Sequence, residues 1–386
     1  MPLAELKFRG GGEIVTDPAD DIRTIAIVGA GPGGFRLVAN LGLAGYRLRL
    51  NDIDDTKLTA IRARGGIEVE GTPGGFAPIQ LATTDLRAAA EGADLIIVVS
   101  GGNTQPGVAR ALAPLLVDGQ TILLIQGNTG GSLVVRRELD RAGCRADIEL
   151  AETDTYPYAM RWVAPTLMRQ TTQKRWIQIA AFPGNRSQAV HARIGRLFPQ
   201  AVAAPDILHT GLANMNAVFH VANCVANAAR IERGGGHMFY GEGVTPAVAR
   251  LYEAIDAERM AIAAALGVGI PNLVDWVARA YDVREANLVK TFERLTYDPD
   301  GPYVANKAAG TLDHKYIVED VPTGLIPMQE LGSATGIPTP AIDALVQVVR
   351  FMTGRSFAAE ARTLARLGLA DLNAAQIRDV VRDGFR

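Results

Sequence analysis

The sequence predicts an α/β domain with a mainly parallel sheet, followed by an all-α second domain. Short apolar runs alternate with amphipathic stretches in the first half of the chain, and strand signals fade after Pro205. The chain has 386 residues, and one hydrophobic core usually organises no more than about 250–300 residues. We therefore expect two domains, residues 1–206 and residues 207–386.

The first domain is expected to repeat a strand and then a helix, which produces right-handed βαβ units and a sheet covered on both faces. The predicted strands are Thr24–Val28, Tyr46–Leu50, Asp94–Val99, Thr121–Ile125 and Trp176–Phe182. The predicted helices are Phe35–Leu43, Thr56–Arg64, Pro106–Leu116, Gly131–Ala142 and Gln188–Leu197. Ile67–Glu70 and Pro78–Ala82 are predicted as short antiparallel strands, and Val202 is expected to close the sheet.

Pro205 marks the predicted boundary, because proline can neither donate to a strand ladder nor continue a helix. Helical spacing dominates after it. The predicted helices of the second domain are Leu208–Glu232, Pro246–Leu266, Asn272–Tyr281, Arg284–Thr296, Met328–Thr335, Pro340–Gly354 and Ala358–Leu367.

Composition excludes several classes of protein. The net charge of −2 and pI of about 6.3 do not suit a general nucleic-acid binder. No apolar run approaches the roughly 20 residues of a membrane span, and the polar start of the chain resembles no signal peptide. Two cysteines suit a reducing compartment, so we expect a cytoplasmic protein. The histidines lack the spacing of a metal site, and no metal is expected.

The segment IAIVGAGPGG, from Ile25 to Gly34, carries the pattern G-x-G-x-x-G between a strand and a helix. Gly29 permits the tight turn, Gly31 admits a pyrophosphate close to the backbone, and Gly34 lets helix and strand pack. The N-terminus of the helix adds unpaired N–H groups and a positive dipole end. The pattern predicts a Rossmann-type dinucleotide-binding domain.

Asp52 follows the second predicted strand at about the spacing of the carboxylate that binds the adenine ribose. A carboxylate there repels a 2′-phosphate, which favours NAD over NADP. Small polar loops follow the next two predicted strands. Ligands bind at the carboxyl ends of parallel strands, so these loops are expected to line the cofactor; the alternative is that they are simple tight turns. The expected cofactor-binding residues are Gly29, Ala30, Gly31, Pro32, Gly33, Gly34, Asn51, Asp52, Ser100, Gly101, Gly127 and Thr129.

Two segments hold candidates for proton transfer. Asn216 and His220 are four residues apart and share a helix face, which suits a cleft or, equally, a hydrogen-bonded core histidine. In His314–Pro327 (HKYIVEDVPTGLIP), apolar residues are expected to draw the segment against a core and leave Glu319 or Asp320 partly buried. A buried carboxylate beside a histidine selects the tautomer of the imidazole and raises its basicity.

Beyond these residues, the chain resembles the opine dehydrogenases of the octopine/nopaline dehydrogenase group from about Ile25 to Phe357. The stretches that carry the resemblance are IAIVGAGPGG, QGNTGG (Gln126–Gly131), AETDTYPYAMR (Ala151–Arg161), NMNAVFH (Asn214–His220), Phe239–Val268 and His314–Pro327.

The resemblance implies a dinucleotide-binding domain, an all-helical domain and an active site between them. Members of the family condense a 2-oxo acid with the amino group of an amino acid, using NAD(P)H. Carried over by motif, His220 is the catalytic acid and base and Asp320 is its partner. The expected substrate-binding residues are Lys315, Asn216, Asn214, Arg161 and Tyr240.

The chain departs from the family pattern in three places. Lys315 stands where the pattern has arginine, Val221 stands where proline is common, and the loop reads QGNTGG where versions like NPGRTGG are common. Arginine holds a carboxylate through two parallel hydrogen bonds, whereas lysine offers one compact charge. Six lysines against 33 arginines make each lysine worth inspecting.

Three functions therefore remain open. The first is an NAD-dependent opine-type dehydrogenase whose partners are a 2-oxo acid and an amine. The second is an oxo-acid or alcohol dehydrogenase on the same scaffold that needs no amine. The third is a nucleotide-binding sensor without turnover. A homodimer is compatible with the Ala-rich helix Ala247–Val268, which is otherwise part of the core.

Overall fold

The computed structural model describes residues 21–158, 161–164, 166–169 and 173–385. The strands are β1 Thr24–Val28, β2 Arg47–Asn51, β3 Gly66–Glu70, β4 Gly75–Pro78, β5 Leu81–Thr83, β6 Leu95–Val98, β7 Thr121–Leu124, β8 Glu149–Thr153, β9 Arg161–Ala164, β10 Leu167–Arg169, β11 Ile177–Ala181 and β12 Ala201–Ala203. The side chains of Arg161 and Trp162 lie outside the described part of the chain.

The helices are α1 Pro32–Leu43, α2 Thr56–Arg64, α3 Leu86–Ala90, α4 Gln105–Leu112, α5 Gly131–Arg141, α6 Ser187–Ile194, α7 Ile207–Leu212, α8 Ala222–Ala226, α9 Ala228–Glu232, α10 Pro246–Ala265, α11 Leu273–Tyr281, α12 Leu288–Tyr297, α13 Lys315–Val318, α14 Ile326–Thr335, α15 Pro340–Thr353, α16 Leu364–Leu367 and α17 Ala374–Asp383. Two π-helical turns, Ala217–Val221 and Val321–Leu325, join them in the second half.

Eight strands form the main sheet in the order β12-β11-β8-β7-β6-β1-β2-β5. The six strands from β8 to β5 are parallel, whereas β11 and β12 run the opposite way. Strands β1, β6 and β7 are buried along their whole length, as expected of a sheet covered on both faces. The predicted parallel sheet is confirmed, and the carboxyl ends of these strands point toward the candidate site.

The prediction of an antiparallel strand over Pro78–Ala82 is wrong. Strand β4 pairs with β3 and ends at Pro78, because proline has no N–H to donate. The chain then turns, and Gln80 donates its backbone N–H to the carbonyl of Leu48, so that β5 joins the main sheet parallel to β2. Strands β3, β4, β9 and β10 form a separate small sheet.

The second half is helical, as predicted, but the single helix expected over Leu208–Glu232 is broken into α7, the first π-helical turn, α8 and α9. Asparagine side chains account for the breaks, because they bond to nearby backbone in competition with the helix. Asn214 accepts from the backbone N–H of Asn216, and Asn227 donates to the carbonyl groups of Asn223 and Gly243.

A second correction concerns Ala358–Leu367, of which only Leu364–Leu367 is helical. Here Arg362 turns inward and is 2% exposed. Its guanidinium donates to the carbonyl oxygens of Gly102, Gly127 and Thr129, which belong to the loops after β6 and β7. A segment near the end of the chain therefore packs on the loops at the carboxyl edge of the sheet.

The buried apolar residues form two clusters, one on each face of the main sheet. The larger cluster continues without interruption into the helices of the second half. The division at residues 206 and 207 stays a prediction, although Asp206 does cap α7 by accepting from the backbone of Leu208. Within the described residues, no helix is both long and apolar enough to cross a bilayer.

Candidate active site

The glycine loop lies between β1 and α1, and two of its glycines cannot be replaced without a clash or an unfavourable backbone conformation. Gly29 has a φ of +116°, a conformation that side chains with a Cβ rarely adopt. A Cβ on Gly34 would lie 1.9 Å from the carbonyl oxygen of Gly29, so helix and turn could not approach as they do. These two glycines serve the fold of the loop itself.

Gly31 differs, because the chain's own fold does not require a glycine there. Its φ of −84° is ordinary, and a Cβ would meet no atom within 4 Å. The space in front of Gly31 is open, and the first N–H groups of α1 receive no side-chain cap. Open space beside uncapped N–H groups fits a phosphate group.

Asp52 lies directly after β2 and is 8% exposed. Its Oδ2 accepts the backbone N–H of Ala30 at 2.7 Å, and its Oδ1 accepts that of Asp54 at 2.9 Å. Lys57 forms an ion pair with the same carboxylate at 3.2 Å. The carboxylate of Asp52 therefore connects the glycine loop to the end of β2. The neighbouring Asn51 donates its side-chain amide to the carbonyl of Thr83.

The loops after β6 and β7 contribute unequally to the lining of the candidate site. Ser100 and Gly101 line a cavity of about 290 Å³ together with Gly31, Pro32 and Gly33. The buried hydroxyl of Ser100 has no hydrogen-bond partner among the described residues, which leaves it available to a ligand. We call this space the glycine-loop cavity.

Gly127 and Thr129 support the loop after β7 from behind. A Cβ on Gly127 would lie 2.3 Å from the carboxyl carbon of Glu152, which is fully buried. Thr129 donates its hydroxyl to the carbonyl of Gly211. From this loop it is Gln126 that reaches the cavity, a residue that the sequence analysis did not single out.

His220 and Asp320 meet across the two π-helical turns, although they are 100 residues apart in sequence. The imidazole Nδ1 lies 2.7 Å from Oδ2 of Asp320, and both residues are nine-tenths buried. Gly324 allows the close approach of the turns, since a Cβ there would lie 2.5 Å from that of Ala217. With Nδ1 bonded, Nε2 is the ring nitrogen left for a ligand.

Burial favours the neutral forms of both groups. It lowers the pKa of His220 to about 3, with the positive charge of Lys315 acting in the same direction. Burial raises the pKa of the Asp320 carboxyl to about 8, against the attraction of Lys315. The groups share one hydrogen bond and titrate as a unit. Near neutral pH the pair therefore holds one proton more than a neutral imidazole beside an ionised carboxylate would hold.

Residues around the pair hold it in place. The ring of Tyr316 stacks on the imidazole of His220 with 3.8 Å between centroids. Glu319 accepts the backbone N–H of Gly102 at 2.8 Å, and burial raises the pKa of its carboxyl. Lys315 lines the glycine-loop cavity together with both members of the pair.

A second cavity, of about 140 Å³, adjoins the first. Aromatic side chains make up half of its lining, and we call it the aromatic cavity. The residues shared by the two cavities are Gln126, Tyr156, Asn216, His220 and Tyr316. His220 therefore lies at the junction of the two cavities.

Of the remaining predicted substrate-binding residues, some line a cavity and others do not. Asn216 lines both cavities, and Tyr240 lines the aromatic cavity with its ring stacked on Tyr303. Asn214 is 3% exposed and donates to the side chain of Asn128, so it braces the loop after β7. Arg161 begins β9, and its side chain lies outside the described part of the chain.

Comparison with known proteins finds relatives over most of the chain. Residues 203–353 match the family described as NAD/NADP octopine/nopaline dehydrogenase, alpha-helical domain. An opine dehydrogenase from Arthrobacter sp. (strain 1C) is 36% identical over 361 residues, which cover 93% of this chain and 99% of that protein. The chain belongs to the opine dehydrogenase family. The resemblance stated from the sequence is thereby confirmed, and family membership makes the chain an oxidoreductase.

Solved structures confirm the fold class. Octopine dehydrogenase, solved with NADH and L-arginine, has a TM-score of 0.72 at 17% identity, over 94% of this chain and 98% of that one. A ketopantoate reductase of the PanE/ApbA family from Ralstonia eutropha JMP134 has a TM-score of 0.57 at 20% identity, over 85% and 98%. Both solved structures thus share the arrangement of sheet and helices seen in this chain.

Proposed function

We propose that the chain is an NAD(H)-dependent opine-type dehydrogenase, which condenses a 2-oxo acid reductively with an amino acid or amine. The reverse reaction oxidises the N-substituted amino acid. The buried pair of His220 and Asp320, at the junction of the two cavities, is the observation that carries the proposal. The cofactor is assigned to the glycine-loop cavity and the condensing molecules to the junction.

NAD(H) fits the residues around the glycine loop. The open space at Gly31 and the uncapped start of α1 suit the pyrophosphate, and Asp52 suits the ribose diol. When bound, the cofactor supplies or accepts hydride. Structures of octopine dehydrogenase hold NADH, and one of yersinopine dehydrogenase holds NADP⁺. Lys57 beside Asp52 offers a positive charge to a 2′-phosphate, so NADP remains the second choice.

His220 and Asp320 are proposed to move the proton of the reaction. In the acid form the pair holds two protons, one in the hydrogen bond between Nδ1 of His220 and Asp320 and one on Nε2. The proton on Nε2 can protonate the hydroxyl that leaves the carbinolamine as water. The pair is left as a neutral imidazole bonded through Nδ1–H to the Asp320 carboxylate. In the oxidative direction this form takes the proton of the secondary amine at Nε2.

Lys315 is proposed to hold the carboxylate of the 2-oxo acid, since it lines the glycine-loop cavity beside the pair. Octopine dehydrogenase has been solved with pyruvate, which bears such a carboxylate. A lysine offers one compact charge and does not impose the two-bond geometry of arginine. Asn216, which lines both cavities, is proposed to orient the bond that forms.

Two glycine variants separate cofactor binding from folding. Gly31→Ala places its Cβ in open space at an ordinary φ, so the melting temperature should not fall, whereas the affinity for NADH should drop about 10- to 100-fold by steric overlap. Gly34→Ala should destabilise the fold by about 1–3 kcal/mol, because its Cβ meets the Gly29 carbonyl. Thermal melts and NADH titrations check both. Unchanged NADH affinity in Gly31→Ala would contradict the assigned phosphate position.

The function is tested by NADH oxidation at 340 nm with pooled 2-oxo acids, run with and without pooled amino acids and simple amines. NADPH in place of NADH serves as the control for cofactor choice. We expect oxidation to require the amine. Oxidation by 2-oxo acid alone would identify a carbonyl reductase on this scaffold, and absence of turnover with tight NADH binding would identify a sensor.

A further inference from the structure

The aromatic cavity contains a cation that the proposed reaction leaves without a role. Lys174 lines the cavity and is 7% exposed. Its Nζ donates to the carbonyl oxygen of Tyr156 at 2.7 Å and lies 5.6 Å from the centroid of the Tyr281 ring. An ammonium group has three N–H donors, so donors remain after the bond to Tyr156.

The positive charge of Lys174 is not matched by a bonded carboxylate. Among the described residues, no carboxylate oxygen lies within 4.0 Å of its Nζ. Asp154 is near enough for the lysine charge to act on it, but burial raises the pKa of that carboxyl to about 7. A buried charge without a full counter-charge is costly, and a ligand carboxylate in the cavity would offset that cost.

The position of the cation relative to the reacting centre suggests which molecule it meets. Lys315 lines the glycine-loop cavity, Lys174 lines the aromatic cavity, and His220 lines both. The condensation joins two molecules, and each of the two cavities that meet at His220 is lined by one of the two lysines. With Lys315 assigned to the 2-oxo acid, Lys174 faces the other molecule.

We propose that Lys174 binds a carboxylate of the amine partner in the aromatic cavity and rejects partners with a basic side chain. Assigning the cavity to the amine partner rests on the function proposed above, whereas carboxylate binding by Lys174 does not. The carboxylate is either the α-carboxylate of an amino acid or an acidic side chain. In both cases charge-assisted hydrogen bonds pair it with the ammonium, and a guanidinium or second ammonium is repelled.

Calorimetric titration of the full chain with saturating NADH tests this without turnover. The probes are L-phenylalanine against 2-phenylethylamine, which lacks the α-carboxylate, and L-glutamate against L-glutamine, which lacks the side-chain carboxylate. L-Arginine is the basic probe. The wild type should bind L-phenylalanine or L-glutamate about tenfold or more tightly than the match that lacks the carboxylate under test, and it should bind L-arginine more weakly than L-glutamine. The pair that shows the preference identifies the source of the carboxylate.

Three variants complete the test. Lys174→Met should abolish the preference, Lys174→Arg should retain it, and the exposed Lys290→Met is the matched control that should leave it unchanged. Pyruvate affinity should stay within twofold in Lys174→Met. The inference is overturned if the wild type prefers neither acid, if Lys174→Met keeps the preference, or if that variant loses pyruvate affinity equally. Absence of amine-dependent turnover alongside a Lys174-dependent preference would instead overturn the proposed function.

Discussion

Replacing His220 by asparagine is expected to lower kcat about 10²- to 10⁴-fold in both directions, the range attributable to a lost general acid or base. Asparagine retains polarity and bulk near Asp320 but has no group that exchanges a proton near neutral pH. NADH affinity should stay within twofold, because the phosphate and ribose contacts proposed at Gly31 and Asp52 do not use the imidazole. Steady-state kinetics and NADH fluorescence titration give the two quantities.

The chain contains its own control for this substitution. His209 also lies beside an aspartate, with Nδ1 2.9 Å from Oδ1 of Asp206, but it belongs to α7 and lines neither cavity. His209→Asn should therefore keep kcat within about threefold, because it removes no side chain that lines either cavity. Turnover retained by His220→Asn within tenfold of the wild type would remove His220 from the chemistry.

Replacing Asp320 by asparagine should cost about 10²- to 10⁴-fold in kcat and also alter the pH dependence. The carboxyl of Asp320 carries the raised pKa of about 8. Below that pH the pair holds its proton and acts as the acid, and above it the pair has lost the proton and acts as the base. In the wild type, kcat/KM for oxidation should rise through about pH 8, and that for condensation should fall.

In Asp320→Asn the group with the raised pKa is gone, and the buried imidazole, with its lowered pKa, stays neutral at all working pH values. The inflection near pH 8 should disappear from the oxidative profile. Initial rates from pH 6 to 10 with both enzymes measure this. An inflection that persists in Asp320→Asn would mean that another group controls the proton, with Glu319 the next to replace.

The first half of the fold could be predicted because its signals are local. The buried run Thr24–Val28, the glycine pattern after it and the amphipathic spacing of Thr56–Arg64 each reflect one element and its burial. The strand Pro78–Ala82 was predicted wrongly because its partner was decided by a turn at Gln80, which bonds to Leu48. Such a choice depends on tertiary pairing and not on periodicity.

The helix over Leu208–Glu232 shows the same limit in the second half. Ala-rich spacing predicts one helix, but at its two interruptions the side chains of Asn214 and Asn227 bond to backbone groups. Whether an asparagine caps, breaks or faces solvent depends on its surroundings, which periodicity does not contain.

The candidate site was predicted unevenly. The glycine loop follows from sequence spacing, and the pairing of His220 with Asp320 follows from the resemblance to the family. Arg362 gave no signal, because nothing in its sequence context distinguishes it from other arginines. Lys174 offered one signal, the scarcity of lysine in this chain. The roles of the site residues, the homodimer and the cytoplasmic location stay predictions.

The buried guanidinium of Arg362 has a consequence for how the chain is made. Its acceptors at Gly102, Gly127 and Thr129 precede it by 260, 235 and 233 residues. Ribosomes add about 5–20 residues per second, so these carbonyl groups wait roughly 12–50 s for their partner. Buried carbonyl groups without donors are unfavourable, so the two loops acquire their final shape only after residue 362 has been added. The segment around Arg362 thus completes the loops after β6 and β7, and a nascent chain that stops short of residue 362 leaves their carbonyl groups without these donors.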